Sequence, residues 1–225
     1  AVDAMGGDYA PENDVAGAIL AGWETRSELI LVGDAKRIQR ELQKVQPRPD
    51  NIAIHHSSEC IEMDESPVTA LRRKKDASVL VAMRLVKNGD AGAVVTAGNT
   101  GAATASSKIV LHTLDGVERP AIAARIPNPR GSTVFLDVGA NVDCKPRHLL
   151  KFAIMGSVYS QVILGVKRPR VGLLSVGAEE SKGNELTKAT FALLEEKREA
   201  LNFIGNVEGG DLFAGTVDVV VCDGF

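Results

Sequence analysis

No stretch of the 225 residues approaches the roughly 18 consecutive apolar positions that a membrane-spanning helix needs. No basic-then-apolar leader opens the chain either, so a secretory signal is not expected. Cysteine is scarce. Cys60, Cys144 and Cys222 are an odd number, without C-x-x-C or Cys/His ligand spacing. That pattern argues against a disulfide framework or a zinc site and leaves reduced thiols in a cytoplasm as the plain reading. Aromatic residues make up only 4% and the net charge is −3, which argues against a general nucleic-acid binder. Nucleotide fingerprints are missing: there is no complete G-x-G-x-x-G, and Ser181-Lys182-Gly183 runs in the wrong order for a Walker A loop. Internal repeats and low-complexity linkers are absent too. A soluble, intracellular protein is expected.

What is present is ordinary globular composition, 44% hydrophobic and 24% charged, unlike a disordered chain. The length suits one large domain or two small ones, with roughly 70% of the unfolded surface buried on folding. A short apolar strand, a Gly/Asp/Asn loop and an amphipathic helix recur. Leu29 to Val32 precedes a helical pattern from Ala35 to Val45, with Ile38, Leu42 and Val45 on one face. Ile52 to Ile54 precedes a long loop and then one helix from about Val68 to Val86. Val171 to Leu174 precedes a helix from Leu186 to Leu201. This alternation predicts βαβ units and a mainly parallel sheet covered on both faces. Ala121 to Ile126 and Thr133 to Leu136 are separated by only Pro127 to Gly131, too short for a crossover helix, so that pair should be antiparallel and the sheet mixed. Ala1-Val2 reads as the tail of a strand, and Val217 to Phe225 as a strand stopping in its following loop, so a longer natural chain is expected.

Ligands of open α/β sheets bind beyond the carboxyl ends of the strands, and this sequence loads those ends with glycine and polar residues. The stretch Ala93 to Ser107, AVVTAGNTGAATASS, reads as a buried strand over Ala93 to Val95 followed by a helix of tiny residues. Asn99 or Thr100 can cap that helix, and its N-terminal amides and dipole can hold an anion. Ala102, Ala103, Ala105 and Ser106 can equally serve only to let helices pack closely. Lys182 follows a strand in a Gly-flanked loop and can reach a phosphate or an oxyanion, or it can be a solvated lysine beside Glu179 and Glu180. Asp3, Asp8, Asp137 and Asp223 can form a magnesium site if they converge, or cap helices. Cys222 reads as a small buried residue, there being no histidine adjacent in sequence to activate it. His55-His56, at a strand end, reads as structural. Arg72-Arg73-Lys74-Lys75 reads as a solvated helix face or as a dock for an acidic partner.

Several of these segments together resemble one family. Val2-Asp3-Ala4-Met5-Gly6-Gly7-Asp8, Leu71 to Ser78, Ala97-Gly98-Asn99-Thr100-Gly101-Ala102, Leu136-Asp137-Val138-Gly139-Ala140-Asn141, Lys182-Gly183-Asn184 and Val221-Cys222-Asp223-Gly224-Phe225 occur in order. They are similar to the motifs of the bacterial phosphate acyltransferases of phospholipid synthesis (PlsX). Thr96 stands where serine is common in that family and Ser175 where asparagine is; neither change removes a polar group. The resemblance implies a single three-layer α/β/α domain over residues 1–225, like isocitrate and isopropylmalate dehydrogenases, lacking its C-terminal part, and a homodimer. It implies transfer of a fatty acyl group from acyl-[acyl carrier protein] to inorganic phosphate, with no cofactor, no metal and no nucleic acid. The acyl phosphate would pass to a membrane glycerol-phosphate acyltransferase, from a cytoplasmic enzyme peripheral to the membrane. Lys182 and Asn184 would be catalytic; Asp3, Gly6, Gly7, Asp8, Gly98, Asn99, Thr100, Gly101, Asp137 and Asn141 would bind phosphate and thioester; Arg72, Arg73, Lys74 and Lys75 would dock the carrier protein. Three rivals remain: a phosphotransacetylase acting on acyl-coenzyme A, a metal-dependent decarboxylating dehydrogenase, and a phosphate-binding module without activity.

Overall fold

The computed structural model describes residues 1–225, which divide into two compact units, Ala1–Leu114 and Asp115–Phe225. In chain order the first unit contains β1 (Val2–Asp3), α1 (Glu12–Glu24), β2 (Leu29–Gly33), α2 (Ala35–Gln43), β3 (Ile52–His56), α3 (Pro67–Arg73), α4 (Ser78–Asn88), β4 (Val95–Thr96) and α5 (Thr100–Val110). Its four strands pair in the order β3-β2-β1-β4, all parallel. Side chains alternate across a strand, and the packing follows that alternation. Leu29 and Leu31 of β2 pack with Val15 and Ile19 of α1 and Ile38 and Leu42 of α2, while Ile30 and Val32 meet Val81, Ala82 and Leu85 of α4. Three layers result.

The second unit contains β5 (Ala123–Asn128), β6 (Gly131–Leu136), α6 (Pro146–Leu164), β7 (Val171–Leu174), α7 (Glu185–Glu195), α8 (Arg198–Leu201), β8 (Phe203–Val207), α9 (Asp211–Ala214) and β9 (Val219–Val221). Its strand order is β5-β6-β9-β7-β8; β5 and β6 are antiparallel and the other pairs parallel. Val134, Leu136, Leu173, Val219 and Val221 pack with Leu149 and Phe152 of α6 and Leu194 of α7. Val220 and Val207 turn to the other face, where Leu212 of α9 covers them. The expected α/β class and the antiparallel pair are present, and the mixed sheet belongs to the second unit. The strands form two sheets.

Four local expectations need correction. The helix expected over Val68 to Val86 is two helices. Residues 74–77 leave the helical path because neighbours distant in sequence hold them: the Asp76 carboxylate accepts from Ser58 N and Oγ, and Asp76 N donates to the Glu59 carboxylate. The helix expected over Leu186 to Leu201 likewise breaks after Glu195. There the Arg198 guanidinium donates to Phe203 O at 3.0 Å and lies over the Phe203 ring. Val45 lies beyond the end of α2 and is largely exposed, not on its buried face. The strand expected to be buried at Ala93 to Val95 is an edge strand, and Val95 is 63% exposed.

Candidate functional site

In the first unit the loops following β1 and β4 meet backbone to backbone. A Cβ built on Gly6 would lie 3.0 Å from Gly98 Cα, and one on Gly98 would lie 3.0 Å from Gly6 Cα. The small residues at this turn therefore serve close backbone approach. Buried Asp3 ties the two loops together: one oxygen accepts from Met5 N at 3.3 Å, the other from Thr96 Oγ1 at 2.8 Å, and that hydroxyl in turn accepts from Gly98 N at 3.1 Å. Asn99 is the cap of α5. Its Oδ1 accepts from Ala102 N at 3.0 Å, while its Nδ2 donates to Met63 O at 2.9 Å and Glu65 O at 3.2 Å. The amides of Thr100 and Gly101 and the Thr100 hydroxyl have no donor bond within the chain. These are the open donors of the loop, of the kind that a helix N-terminus can offer to an anion. Asp8 is exposed.

Nothing in the sequence pattern singles out Asp14. One of its oxygens is buried without a partner, against Gly7, where an added Cβ would lie 2.8 Å away. Burial, and then the nearby Asp3 charge, pushes its carboxyl above the usual range. An acid in the first turn of a helix is so common that its position carries no signal. Asp3, Asp8 and Asp14 line a cavity of about 490 Å³ with apolar walls that include Leu29 and Val95.

In the second unit Asp137 is buried and saturated. Its oxygens accept from Ile122 N at 2.8 Å, Ala140 N at 3.2 Å and Asn141 Nδ2 at 2.8 Å. Asn141 Nδ2 also donates to Pro120 O at 2.8 Å, and Gly224 N closes the network by donating to Asn141 O at 2.8 Å. Lys182 is exposed, and its ammonium has no ion pair or hydrogen bond within the chain. Its backbone is fixed: Lys182 N donates to Glu179 O, and Gly183 holds a φ of +96° that a side chain would strain. Asn184 caps α7 by accepting from Thr187 N at 2.9 Å, leaving its Nδ2 without a partner.

The thiols are poor nucleophiles. Burial, reinforced by Asp223 and Asp137, pushes Cys222 up to about 12; burial raises Cys144, and burial with Glu62 takes Cys60 to about 11. His56 is structural, its Nδ1 accepting from Ala35 N at 3.3 Å. The four magnesium candidates divide two and two: Asp3 and Asp8 in the first unit, Asp137 and Asp223 in the second. No three His, Cys, Asp or Glu side chains gather as a metal would need. The basic run is not one face. Arg72 and Arg73 are exposed at the end of α3, whereas Lys74 pairs with Glu65 at 2.6 Å and donates to Cys60 O at 2.7 Å. Lys75 turns back to Leu71 O at 3.1 Å.

The family model described as "Fatty acid synthesis protein" matches residues 1–225. The chain is 54% identical over 225 residues to the phosphate acyltransferase of Geobacter sulfurreducens, covering 100% of this chain and 64% of that protein. It is 55% identical over 225 residues to the phosphate acyltransferase of Desulforudis audaxviator, covering 100% of this chain and 65% of that one. The phosphate acyltransferase of Syntrophomonas wolfei is 51% identical over 227 residues, which are 100% of this chain and 71% of that protein. The chain thus spans about two thirds of the length of these relatives. Among solved structures, the EutD phosphotransacetylase from Staphylococcus aureus superposes with a TM-score of 0.64 at 18% identity, over 93% of this chain and 74% of that one. A branched-chain phosphotransacylase from Enterococcus faecalis gives 0.57 at 14% identity, over 97% and 78%. At those identities the likeness is one of fold.

Proposed function

The chain belongs to the fatty acid synthesis protein family, that of the bacterial phosphate acyltransferases, and from this premise we propose that it transfers a fatty acyl group to inorganic phosphate. A phosphate oxygen attacks the thioester carbonyl carbon, forming the C–O bond through a tetrahedral oxyanion. The C–S bond then breaks, and the thiolate leaves and takes up a proton. Phosphate is already nucleophilic, so no Ser-His-Asp arrangement is required. The protein's task is to hold a dianion, to position it against the carbonyl and to stabilise the oxyanion. In the first unit we assign phosphate binding to the amides of Thr100 and Gly101 and the Thr100 hydroxyl; in the second we assign binding of an anionic oxygen to Lys182 Nζ and Asn184 Nδ2. Asp3, Asn99, Asp137 and Asn141 position these loops, with Gly6, Gly7, Gly98 and Gly101 admitting the close approach and Asp8 at the rim.

One observation carries the reading. Asp3, Asn99, Asp137 and Asn141 hold the loops through internal hydrogen bonds, while Lys182 Nζ, Asn184 Nδ2 and the first amides of α5 remain open donors suited to anionic oxygen. The donor is proposed to be an acylated acyl carrier protein, with Arg72 and Arg73 as the exposed part of its dock. The two units would work as one acyltransferase domain within a homodimer. Exposed Ile154, Val158 and Val162, at i, i+4 and i+8 along α6, offer an apolar stripe for association. The product would pass to a membrane glycerol-phosphate acyltransferase from an enzyme in the cytoplasm; no helix is long and apolar enough to cross a membrane.

The test is thiol release from acylated carrier protein by the full-length protein, with and without phosphate. Release that requires phosphate, and is far slower from acyl-coenzyme A, is the expected result. Equal rates from both donors would favour a phosphotransacetylase, and anion binding without release would leave a binding module.

A further inference from the structure

The second unit holds a cavity of about 500 Å³ at the carboxyl ends of β7 and β9, a size typical of small-ligand sites. Leu149, Leu174, Val176, Leu186 and Cys222 supply its apolar lining, and Ser175, Asn184, Thr187 and Asp223 its polar members. We propose that this cavity receives the aliphatic chain of the acyl substrate and that Leu186 sets the chain length it admits. The inference rests on the acyl-transfer reading for what lies at the polar end, and it adds where the hydrocarbon goes.

Three observations carry it. First, Asn184 both lines the cavity and holds an open Nδ2 donor, so a carbonyl bound there has the cavity beside it. Second, Asp223 is the single charged residue of the lining: Leu149 is fully buried, and the Cys222 thiol, which burial pushes up to about 12, is neutral at physiological pH. Third, the comparable cavity of the first unit is lined by Asp3, Asp8 and Asp14, and three carboxyl groups suit neither a hydrocarbon chain nor its anionic head. Leu186 lies two residues beyond Asn184 in the first turn of α7 and is only partly buried. Its side chain can therefore be enlarged or trimmed with less disturbance than Leu149.

The experiment measures calorimetric binding of n-alkyl phosphates, from butyl to hexadecyl, to the full-length protein, its Leu186→Trp variant and its Leu186→Ala variant. In the unaltered protein affinity should climb by up to about fourfold per methylene, equivalent to about 0.8 kcal/mol, until the cavity is filled. Leu186→Trp should move that limit to shorter chains and lower the ratio of dodecyl to butyl affinity at least tenfold. Leu186→Ala should move the limit to longer chains, and it decides the matter should the tryptophan variant fail to fold. Binding without chain-length dependence, or a limit that folded variants leave unmoved, overturns the inference. Absence of phosphate-dependent thiol release from the unaltered full-length protein, with the shifts retained, would sink the acyl-transfer reading and leave the cavity a chain-length-selective alkyl site. Retained release with no shifts would sink this inference alone.

Discussion

Asn99 and Asn184 begin alike: each caps a helix by accepting the amide of its third residue, at 3.0 Å and 2.9 Å. They differ at the other end of the side chain. The Nδ2 of Asn99 is held by carbonyls of residues 63 and 65, whereas the Nδ2 of Asn184 has no partner. The same contrast separates Asp137, which accepts three hydrogen bonds, from Lys182, which makes none through its ammonium. Residues of the same candidate set thus divide into those whose polar groups build the loops and those whose donors have no partner within the chain. A helix cap, visible in sequence, does not distinguish the two; the remaining hydrogen-bonding capacity does.

Removing an open group should impair the reaction and spare the fold. If Lys182 stabilises charge that develops only in the transition state, Lys182→Ala should lower kcat by roughly 10² to 10³, or about 2.7–4 kcal/mol, with the phosphate KM little changed. If it instead binds ground-state phosphate, KM should rise at nearly constant kcat. Wild-type kinetics in a folded Lys182→Ala protein would make the lysine a solvated bystander. Removing a saturated group should do the reverse. Asp137→Ala leaves Ile122 N, Ala140 N and one Asn141 donor without their acceptor, so urea unfolding should show a loss of about 3 kcal/mol. Unchanged stability would dissolve the distinction between the two classes.

The basic run sharpens the contrast on a smaller scale. Arg72→Glu combined with Arg73→Glu should raise KM for the carrier protein several-fold at low salt and less at high salt. Lys74→Glu should act instead on stability, because Lys74 is already paired with Glu65. An unchanged KM at low salt for the double reversal would remove the docking role.

The smallest effect is expected at Asp14. Its carboxyl is raised above the ordinary value, so the folded chain binds the proton more tightly than the unfolded one. Stability from this group is fully present below the ordinary carboxylate value and is lost as pH rises through the raised one. Asp14→Asn should therefore raise Tm by about 1–2 °C at pH 7 and give no gain at pH 3. A gain of the same size at both pH values would refute the charge account.

The parts of this molecule legible in sequence are those set by near neighbours. The apolar runs of β2, β3 and β7, the period of α2, the short β5–β6 connection and the Asn99 cap are all local signals. The division into two sheets is not local: β9 enters between β6 and β7, pairing Val134 with Val219 and Val171 with Val219. No pattern along the chain announces such a partner. The break between α3 and α4 was hidden for the same reason, since Ser58 and Glu59 impose it from outside the helical run. Lys74 looked like its basic neighbours because Glu65, nine residues earlier, is not at a helical spacing. For the candidate site the motif resemblance names positions; which of their donors stay open depends on carbonyls contributed by distant loops.

The contact between Gly6 and Gly98 bears on how these loops can change over evolutionary time. Each glycine lies against the other's backbone, and Gly6 also against the Asp3 carboxylate, so neither position admits a side chain without a shift of its surroundings. A mutational library that varies the loop after β1 alone, or the loop after β4 alone, should return glycine at both places. A substitution would be recovered only where the two backbones separate and, for Gly6, where the Asp3 side chain also gives way. The two segments, 92 residues apart in the chain, behave as one heritable unit.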